Sequence, residues 1–322
     1  MTWWWFTSAL VQVAPGAPAL VLPVDCVLTQ RCAIQTLPDR DPGPGRSDFR
    51  CGALATDGHD GTDFRLRRFA DLNGSAPVVA AADGTVLRVR DGMADRNIRA
   101  EGAGEMGDRM AGNGVVIDHG GGWQTQYSHL KRGSVRVTPG TRVAAGTAIG
   151  AIGMSGNAEF PHLHFTLRHG STAVDPFDAR PVGSAAACDT SRRGLWRDPA
   201  AATWVSGNEI LALGFATGAE DARARRIATD PAPLPPDPEA LVLWVDVAGL
   251  EAGAVERYVL RAPGGGVLFD RQVPQARGYL SWFGFSGVRR PDGGWPRGDY
   301  IATYTIDHSG ITRKASARLT LE

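Results

Sequence analysis

The chain has 322 residues with 34 basic and 34 acidic side chains, so its formal net charge is zero. This length favours two domains over one. The balanced charge gives no electrostatic basis for nucleic acid or an anionic membrane as the main partner. The 41 glycines and 21 prolines favour turns and short strands.

The N-terminal residues 1–22 are mostly apolar and predict a signal or leader segment. The Ala-Pro-Ala sequence at 17–19 resembles the small-x-small site at which signal peptides are cleaved. The first basic residue is Arg31, so the alternatives are a weak signal peptide or a true start further upstream. Because the apolar run is short and interrupted by Pro15, no stable membrane insertion is expected.

The cysteine pattern favours an oxidising compartment. No two cysteines form a CxxC pair, which argues against a structural zinc knuckle. An even count predicts two disulfides, and the sequence leaves the pairing open. The alternative is a set of buried free thiols in a cytosolic protein. The disulfide candidates are Cys26, Cys32, Cys51 and Cys188.

A strand-rich block follows a loop and runs from about residue 58 to 177. Residues 77–92 read as two strands around an Asp-Gly turn, and residues 114–130 read as a hairpin with glycines at its turn. Residues 137–153 add further short strands. Between the first two of these pieces, residues 93–114 are polar and Gly-rich, which predicts a surface loop or short helix.

A second strand-rich block ends the chain. Residues 230–240 form a Pro-rich spacer, and from Leu241 onward several alternating strands with turn signals predict a small β-sandwich. Residues 210–218 are either its first strand or part of the connector. No glycine-rich phosphate loop occurs between a strand and a helix, so nucleotide chemistry has no support.

The sequence FPHLHFTL at 160–167 places two histidines two positions apart. In a strand, His162 and His164 share one face, while Leu163 and Phe165 share the other. Two neighbouring imidazoles repel when both are charged, whereas neutral imidazoles can bind a metal or act on a substrate. The pair therefore marks a candidate site.

Two other stretches supply residues of matching chemistry. GHDGTDF places His59 four residues before Asp63, and WQTQYSHL ends a predicted strand near His129. Catalytic zinc takes three protein ligands and keeps an open position for water. His59, Asp63 and one histidine of the HLH pair meet this requirement, which leaves two histidines for proton transfer. Each motif alone is weak, and the residues do not show which HLH histidine binds metal.

The three motifs GHDGTD, TQYSHL and PHLHF, in this order, closely resemble the lysostaphin/LytM-type zinc endopeptidases. The flanking stretches APVVAAADGTV, GNGVVIDHGGGWQTQYSHL and PGTRVAAGTAIGAIGMSGN also resemble that family. The resemblance covers about residues 50 to 178. It implies an antiparallel-sheet metallopeptidase domain in a mainly β protein.

The resemblance implies a role for each residue of the site. The implied zinc ligands are His59, Asp63 and His164, with one zinc per chain. The implied catalytic pair is His129 and His162, one helping to deprotonate the metal-bound water and both steadying the oxyanion.

Three further segments are expected near the cleft. Ser155 and Asn157 line the substrate groove or form a polar turn between two strands. The insertion at about 93–113 is longer than the short turn expected there, so it should border the cleft and affect specificity. Residues near 40–52 could lie across the cleft and keep the enzyme latent.

The predicted organisation has three parts after the leader. Residues 23–190 form the metallopeptidase domain with an N-terminal loop extension, and residues 191–240 form a connector. Residues 241–322 form an immunoglobulin-like β-sandwich that could begin near 205. The resemblance implies a periplasmic or extracellular zinc endopeptidase that cuts peptides of bacterial peptidoglycan.

Two alternatives belong to other functional classes. The chain could be a catalytically silent regulator that binds and activates another cell-wall hydrolase, although such relatives usually lack one of the five site residues. It could instead be a wall-binding module that uses Trp244, Trp282, Phe283 and Trp295 as an aromatic face. These four side chains equally fit a sandwich core.

Overall fold

The computed structural model describes residues 16–101, 107–185 and 192–322, so residues 1–15 of the predicted leader lie outside the described residues. The strands are β1 (Cys32–Thr36), β2 (Thr62–Leu66), β3 (Pro77–Val79), β4 (Gly84–Arg90), β5 (Asn113–Gly120), β6 (Trp123–Leu130), β7 (Arg142–Val143), β8 (Ala148–Ala151), β9 (His162–His169), β10 (Thr172–Val174), β11 (Glu209–Ala216), β12 (Ala240–Leu250), β13 (Val255–Arg261), β14 (Val267–Pro274), β15 (Tyr279–Arg289), β16 (Gly298–His308) and β17 (Ile311–Leu321). The helices are α1 (Ile98–Glu101), α2 (Ala219–Ile227) and the short 3-10 helices Phe69–Leu72, Gly107–Arg109 and Ala201–Trp204. None of the described helices is both long and apolar enough to cross a bilayer.

The N-terminal part is built on an antiparallel sheet with the strand order β1-β2-β9-β6-β5-β4-β7, and β10 pairs with β9. Strand β9 lies between β2 and β6. Its Leu163, Phe165 and Leu167 are at most 1% exposed and belong to the hydrophobic core. His162 and His164 leave the opposite face and line a cleft, so the alternation in the sequence sets which face of β9 carries chemistry.

The C-terminal part consists of two antiparallel sheets, β11-β12-β15 and β14-β13-β16-β17. Side chains from both sheets share one hydrophobic core, including Leu243 and Val245 on β12 and Tyr258 on β13. The sequence alone did not decide whether residues 210–218 belong to the connector or to the sandwich. Strand β11 covers most of them and pairs with β12. The mainly β, antiparallel fold is confirmed, and the immunoglobulin-like assignment stays a prediction.

Buried ion pairs join the two parts of the chain. Arg65 on β2 is fully buried and lies 3.5 Å from Asp246 on β12. Arg226 on α2 also binds Asp246, at 2.8 Å. Nearby, Arg67 binds Glu209 on β11 at 2.6 Å. The strand that carries the predicted ligand Asp63 is therefore tied directly to the C-terminal sheet.

Disulfide bonding is confirmed for three of the four candidates. Cys26 and Cys32 are joined by a disulfide that closes the loop before β1. Cys51 is also disulfide-bonded. Cys188 lies outside the described residues.

The four aromatic residues of the predicted binding face are all partly buried and do not form one surface. Trp282 and Trp295 pack on the core shared by the two C-terminal sheets. Their indole N–H groups donate to the Glu256 carboxylate and the Pro238 carbonyl. Trp244 and Phe283 pack instead on a separate small cluster beside α2.

Candidate metal centre and catalytic cleft

Strand pairing brings the predicted metal ligands together. Asp63 on β2 lies directly opposite His164 on β9. His59 precedes β2 and reaches the same point through a turn at Gly61. A Cβ atom on Gly61 would lie 2.6 Å from the Phe165 carbonyl oxygen and 2.7 Å from His164 Nε2, so only glycine fits.

The three predicted ligands present donor atoms at one point. His59 Nε2 lies 3.2 Å from Asp63 Oδ2, and His164 Nδ1 lies 3.0 Å from Asp63 Oδ1. All three donor atoms lie within 4.8 Å of one another, and the group could hold a metal ion. Imidazole nitrogens and a carboxylate are donors that zinc accepts.

The other ring nitrogen of each ligand histidine is held by an oxygen. His59 Nδ1 lies 2.8 Å from the Leu37 carbonyl oxygen, and His164 Nε2 lies 3.0 Å from Asp60 Oδ1. Since these oxygens accept N–H hydrogen bonds, His59 Nε2 and His164 Nδ1 are the nitrogens available to a metal. Metal-ligating histidines in proteins are oriented by such partners. The donor set therefore fits a metal site.

His129 and His162, the predicted catalytic pair, lie side by side in the same cleft with ring centroids 4.6 Å apart. His129 Nδ1 lies 2.7 Å from the Ser155 carbonyl oxygen, and His162 Nδ1 lies 2.8 Å from the Phe160 carbonyl oxygen. Both rings donate at Nδ1 and keep an unprotonated Nε2. His129 also has a φ of 61°, a strained value for a residue with a side chain.

The charges of the site follow from burial and neighbours. Burial, and then the nearby His162 and His164, lower the pKa of His129 well below its usual value. Burial also lowers the pKa of His162. Burial alone would lower the pKa of His164, but hydrogen bonds to Asp60 and Asp63 raise it to about 9. Without a metal, two neutral histidines thus lie beside one charged histidine.

Ser155 and Asn157 occupy different positions. Ser155 is fully buried beneath the cleft, where its hydroxyl donates to the Leu130 carbonyl and accepts from the Asn113 N–H. The backbone carbonyl of Ser155 accepts the hydrogen bond from His129 Nδ1. Ser155 therefore supports the cleft from below and does not line it, contrary to the groove prediction. Asn157 is exposed and does line the cleft.

The other two segments expected near the cleft are the insertion at about 93–113 and residues 40–52, and side chains from both line it. From the insertion, Arg99, Met110 and Ala111 line the cavity, and residues 102–106 lie outside the described residues. From the segment 40–52, Arg46 lines the cavity. The volume of the cavity is about 870 Å³.

Residues 57–176 match the profile of peptidase family M23. This stretch is an M23 peptidase domain. The match confirms the resemblance to lysostaphin/LytM-type enzymes that the three motifs indicated.

Relatives of the M23 domain have more than one role. The peptidoglycan DD-endopeptidase ShyA of Vibrio cholerae is 33% identical over 109 residues, which is 34% of this chain and 20% of ShyA. The murein hydrolase activator EnvC of Escherichia coli is 31% identical over 108 residues, which is 33% of this chain and 23% of EnvC. The matches to ShyA and EnvC thus span less than a quarter of each relative.

A solved structure also resembles part of the chain. The catalytic domain of lysostaphin from Staphylococcus simulans is 26% identical, with a TM-score of 0.27. The similarity covers 37% of this chain and 76% of that domain.

Sequence reasoning missed Asp60, which orients a predicted ligand of the M23 domain. Asp60 binds His164 through Oδ1 and Arg168 at 2.6 Å through Oδ2. Although burial works to raise the pKa of Asp60, His164 and Arg168 lower it to about 2, so the carboxylate is ionised at neutral pH. The available signal was an acidic residue directly after His59, inside the HxxxD motif.

Sequence reasoning also missed one wall of the cleft. Tyr279, Leu280 and Ser281, at the start of β15, line the same cavity as the five histidine and aspartate side chains. These residues come from the C-terminal part, more than 100 positions after His164 in the sequence. No local pattern in the sequence connects them to the M23 domain.

Proposed function

We propose that this protein is a zinc-dependent endopeptidase that cuts peptide bonds of bacterial peptidoglycan in the cell envelope. One observation supports it most. The donor atoms of His59, Asp63 and His164 converge beside two neutral histidines in one cleft of an M23 domain. The similarity to an endopeptidase named for peptidoglycan supports the substrate class.

In this proposal, His59 Nε2, Asp63 and His164 Nδ1 hold the zinc. When bound, zinc supplies Lewis-acid chemistry that activates water and polarises the peptide carbonyl. His129 and His162 handle protons at Nε2. Because both are neutral, one can accept the proton of the attacking water, and the protonated ring can then donate to the substrate oxygen or leaving amine.

The deciding experiment compares the wild-type protein with His59→Ala for metal content and for hydrolysis of cross-linked peptidoglycan peptides. The wild type should carry about one zinc per chain and cut the peptides, and the variant should lose both. His169→Ala is a matched control, because this exposed histidine lies outside the donor set. A wild type that takes up no zinc on reconstitution contradicts the proposal.

The similarity to a protein named as a hydrolase activator favours a second candidate, a regulator of another wall hydrolase. The variant His129→Ala separates the two functions, because this residue lies outside the donor set. An endopeptidase loses hydrolysis with its zinc retained, whereas a regulator has no hydrolysis to lose and still stimulates its partner.

A further inference from the structure

A second cavity of about 290 Å³ lies beside the catalytic cleft, between the M23 domain and helix α2. Four residues line both cavities: Arg99, Glu159, Phe160 and Ser281. The two cavities are therefore adjacent, and a peptide that runs along the cleft past Phe160 comes next to the second one.

Cations dominate the lining of this second cavity. Arg99, Arg223 and Arg226 line it with one acidic residue, Glu159. Arg99 is paired with Glu159 at 2.6 Å. Arg226 donates to Asp246 at 2.8 Å and to the Ser281 hydroxyl at 2.9 Å.

Arg223 is the third arginine of this lining, and it differs from the other two in its partners. Its side chain is exposed, lies over the Phe285 ring at 5.3 Å, and donates at 3.3 Å to the Ala219 carbonyl of its own helix. No carboxylate of the described residues pairs with it. A guanidinium at the end of a cleft can form charge-assisted, two-point hydrogen bonds with a carboxylate.

Apart from the polar Asn97 and Ser281, the remaining lining is apolar. Phe69, Phe160, Phe283 and Ile227 surround the arginines. The cavity thus combines one unpaired guanidinium with apolar walls, which suits a short peptide segment that bears a carboxylate. A neutral segment would leave the guanidinium without an anionic partner.

We propose that this second cavity is a substrate subsite that binds a carboxylate-bearing segment of the peptide, with Arg223 as its charged contact. The inference rests on the proposed function for the position of the scissile bond. It adds that helix α2 and the C-terminal sheet take part directly in substrate recognition.

The test uses calorimetric titration of the full chain with two probes. One is a soluble, uncross-linked peptidoglycan stem tetrapeptide, and the other is the same peptide with its carboxylates converted to carboxamides. Arg223→Gln should weaken binding of the acidic peptide roughly fivefold, the loss expected for one charge-assisted contact. Binding of the amidated peptide should stay unchanged.

Arg225→Gln is the matched control. It lies on the same helix, where its guanidinium binds Asp221 and the Ala232 carbonyl outside the cavity. This variant should bind both peptides as the wild type does. Equal losses for both peptides, no loss in Arg223→Gln, or no binding of the acidic peptide by the wild type would each overturn the subsite.

Hydrolysis of cross-linked peptide, measured in parallel, separates this inference from the proposed function. If the wild type cuts and Arg223→Gln binds the acidic peptide as tightly, the subsite is wrong and the function stands. If the acidic peptide binds through Arg223 and the zinc-loaded wild type cuts nothing, the subsite stands and the function is wrong.

Discussion

At the scale of single residues, each of the four histidines in the cleft has one nitrogen hydrogen-bonded to an oxygen outside the metal-donor set. His59, His129 and His162 donate through Nδ1 to backbone carbonyls, whereas His164 donates through Nε2 to a carboxylate. This difference leaves Nε2 available on three rings and Nδ1 on His164. The chemistry assigned to each ring depends on that hydrogen bond as much as on the ring itself.

Asp60 gives a direct test of this orientation. Asp60→Asn keeps an oxygen near His164 Nε2 but removes its charge and the ion pair with Arg168. We expect zinc affinity to fall about tenfold, measured by competition with a chromophoric chelator. Asp57→Asn, an exposed acid of the same cleft, is the control and should bind zinc as the wild type does. Equal affinity in both variants would show that Asp60 does not orient the ligand.

Asp175 gives a pH-dependent test of stability. The Asp175 carboxyl is buried, and its Oδ2 has no hydrogen-bond partner among the described residues. Burial, and then the charge of Asp178, raise the pKa of Asp175 well above its usual value. The folded state therefore holds a proton that the unfolded chain releases near pH 4.

The sign of this effect is set by the raised pKa. The contribution of Asp175 to stability is complete below the unfolded pKa and is lost as pH rises through the folded pKa. Asp175→Asn should therefore gain stability relative to the wild type as the pH rises above about 4, the unfolded pKa of an aspartate. Denaturant titrations at several pH values measure this, and a difference that is constant with pH would contradict the assignment.

At the scale of elements, strand β13 places a carboxylate inside the C-terminal core. Glu256 is fully buried, and its oxygens accept hydrogen bonds from Tyr258, Tyr304, Trp282 and Gln275. Four donors on three strands and one loop thus converge on one side chain. These hydrogen bonds satisfy the acceptor capacity of a carboxylate that is buried in a sandwich core.

Replacing this carboxylate should destabilise the sandwich. Glu256→Gln puts an amide group against donors that all require an acceptor, so we expect a loss of about 2 kcal/mol in the free energy of unfolding. Chemical denaturation measures the loss. The exposed Glu239→Gln should change stability by less than about 0.5 kcal/mol. A Glu256→Gln protein as stable as that control would mean that the network contributes no net stability.

At the scale of the whole molecule, the C-terminal part is joined to the strand that carries Asp63. Arg65 lies two residues after Asp63 and is fully buried against Asp246 of β12. Its guanidinium also lies 4.6 Å from the centroid of the Phe160 ring, and the Phe160 carbonyl holds His162. Three contacts in series thus connect Asp246 of the C-terminal sheet to the predicted catalytic residue His162.

Asp246→Asn tests this connection. Removing one charge from a buried ion pair leaves Arg65 without its counter-charge, so we expect a loss of about 3 kcal/mol in stability. Asp270→Asn breaks an exposed pair with Arg257 and should lose far less stability, because solvent screens exposed ion pairs. Thermal unfolding of both variants gives the comparison, and similar melting temperatures would show that the buried pair does not hold the two parts together.

The sequence by itself determined the types of residue in the site and the face of β9 that carries them. Strand alternation is a local property, so it could be read from FPHLHFTL alone, and the order of the three motifs indicated the family. The tertiary structure decided which nitrogen each histidine presents, that Ser155 lies beneath the cleft, and that Asp60 and β15 belong to the site. The His164–Asp60 and His129–Ser155 contacts join residues 104 and 26 positions apart. Local pattern cannot fix such contacts, because strand register and packing between distant segments set them.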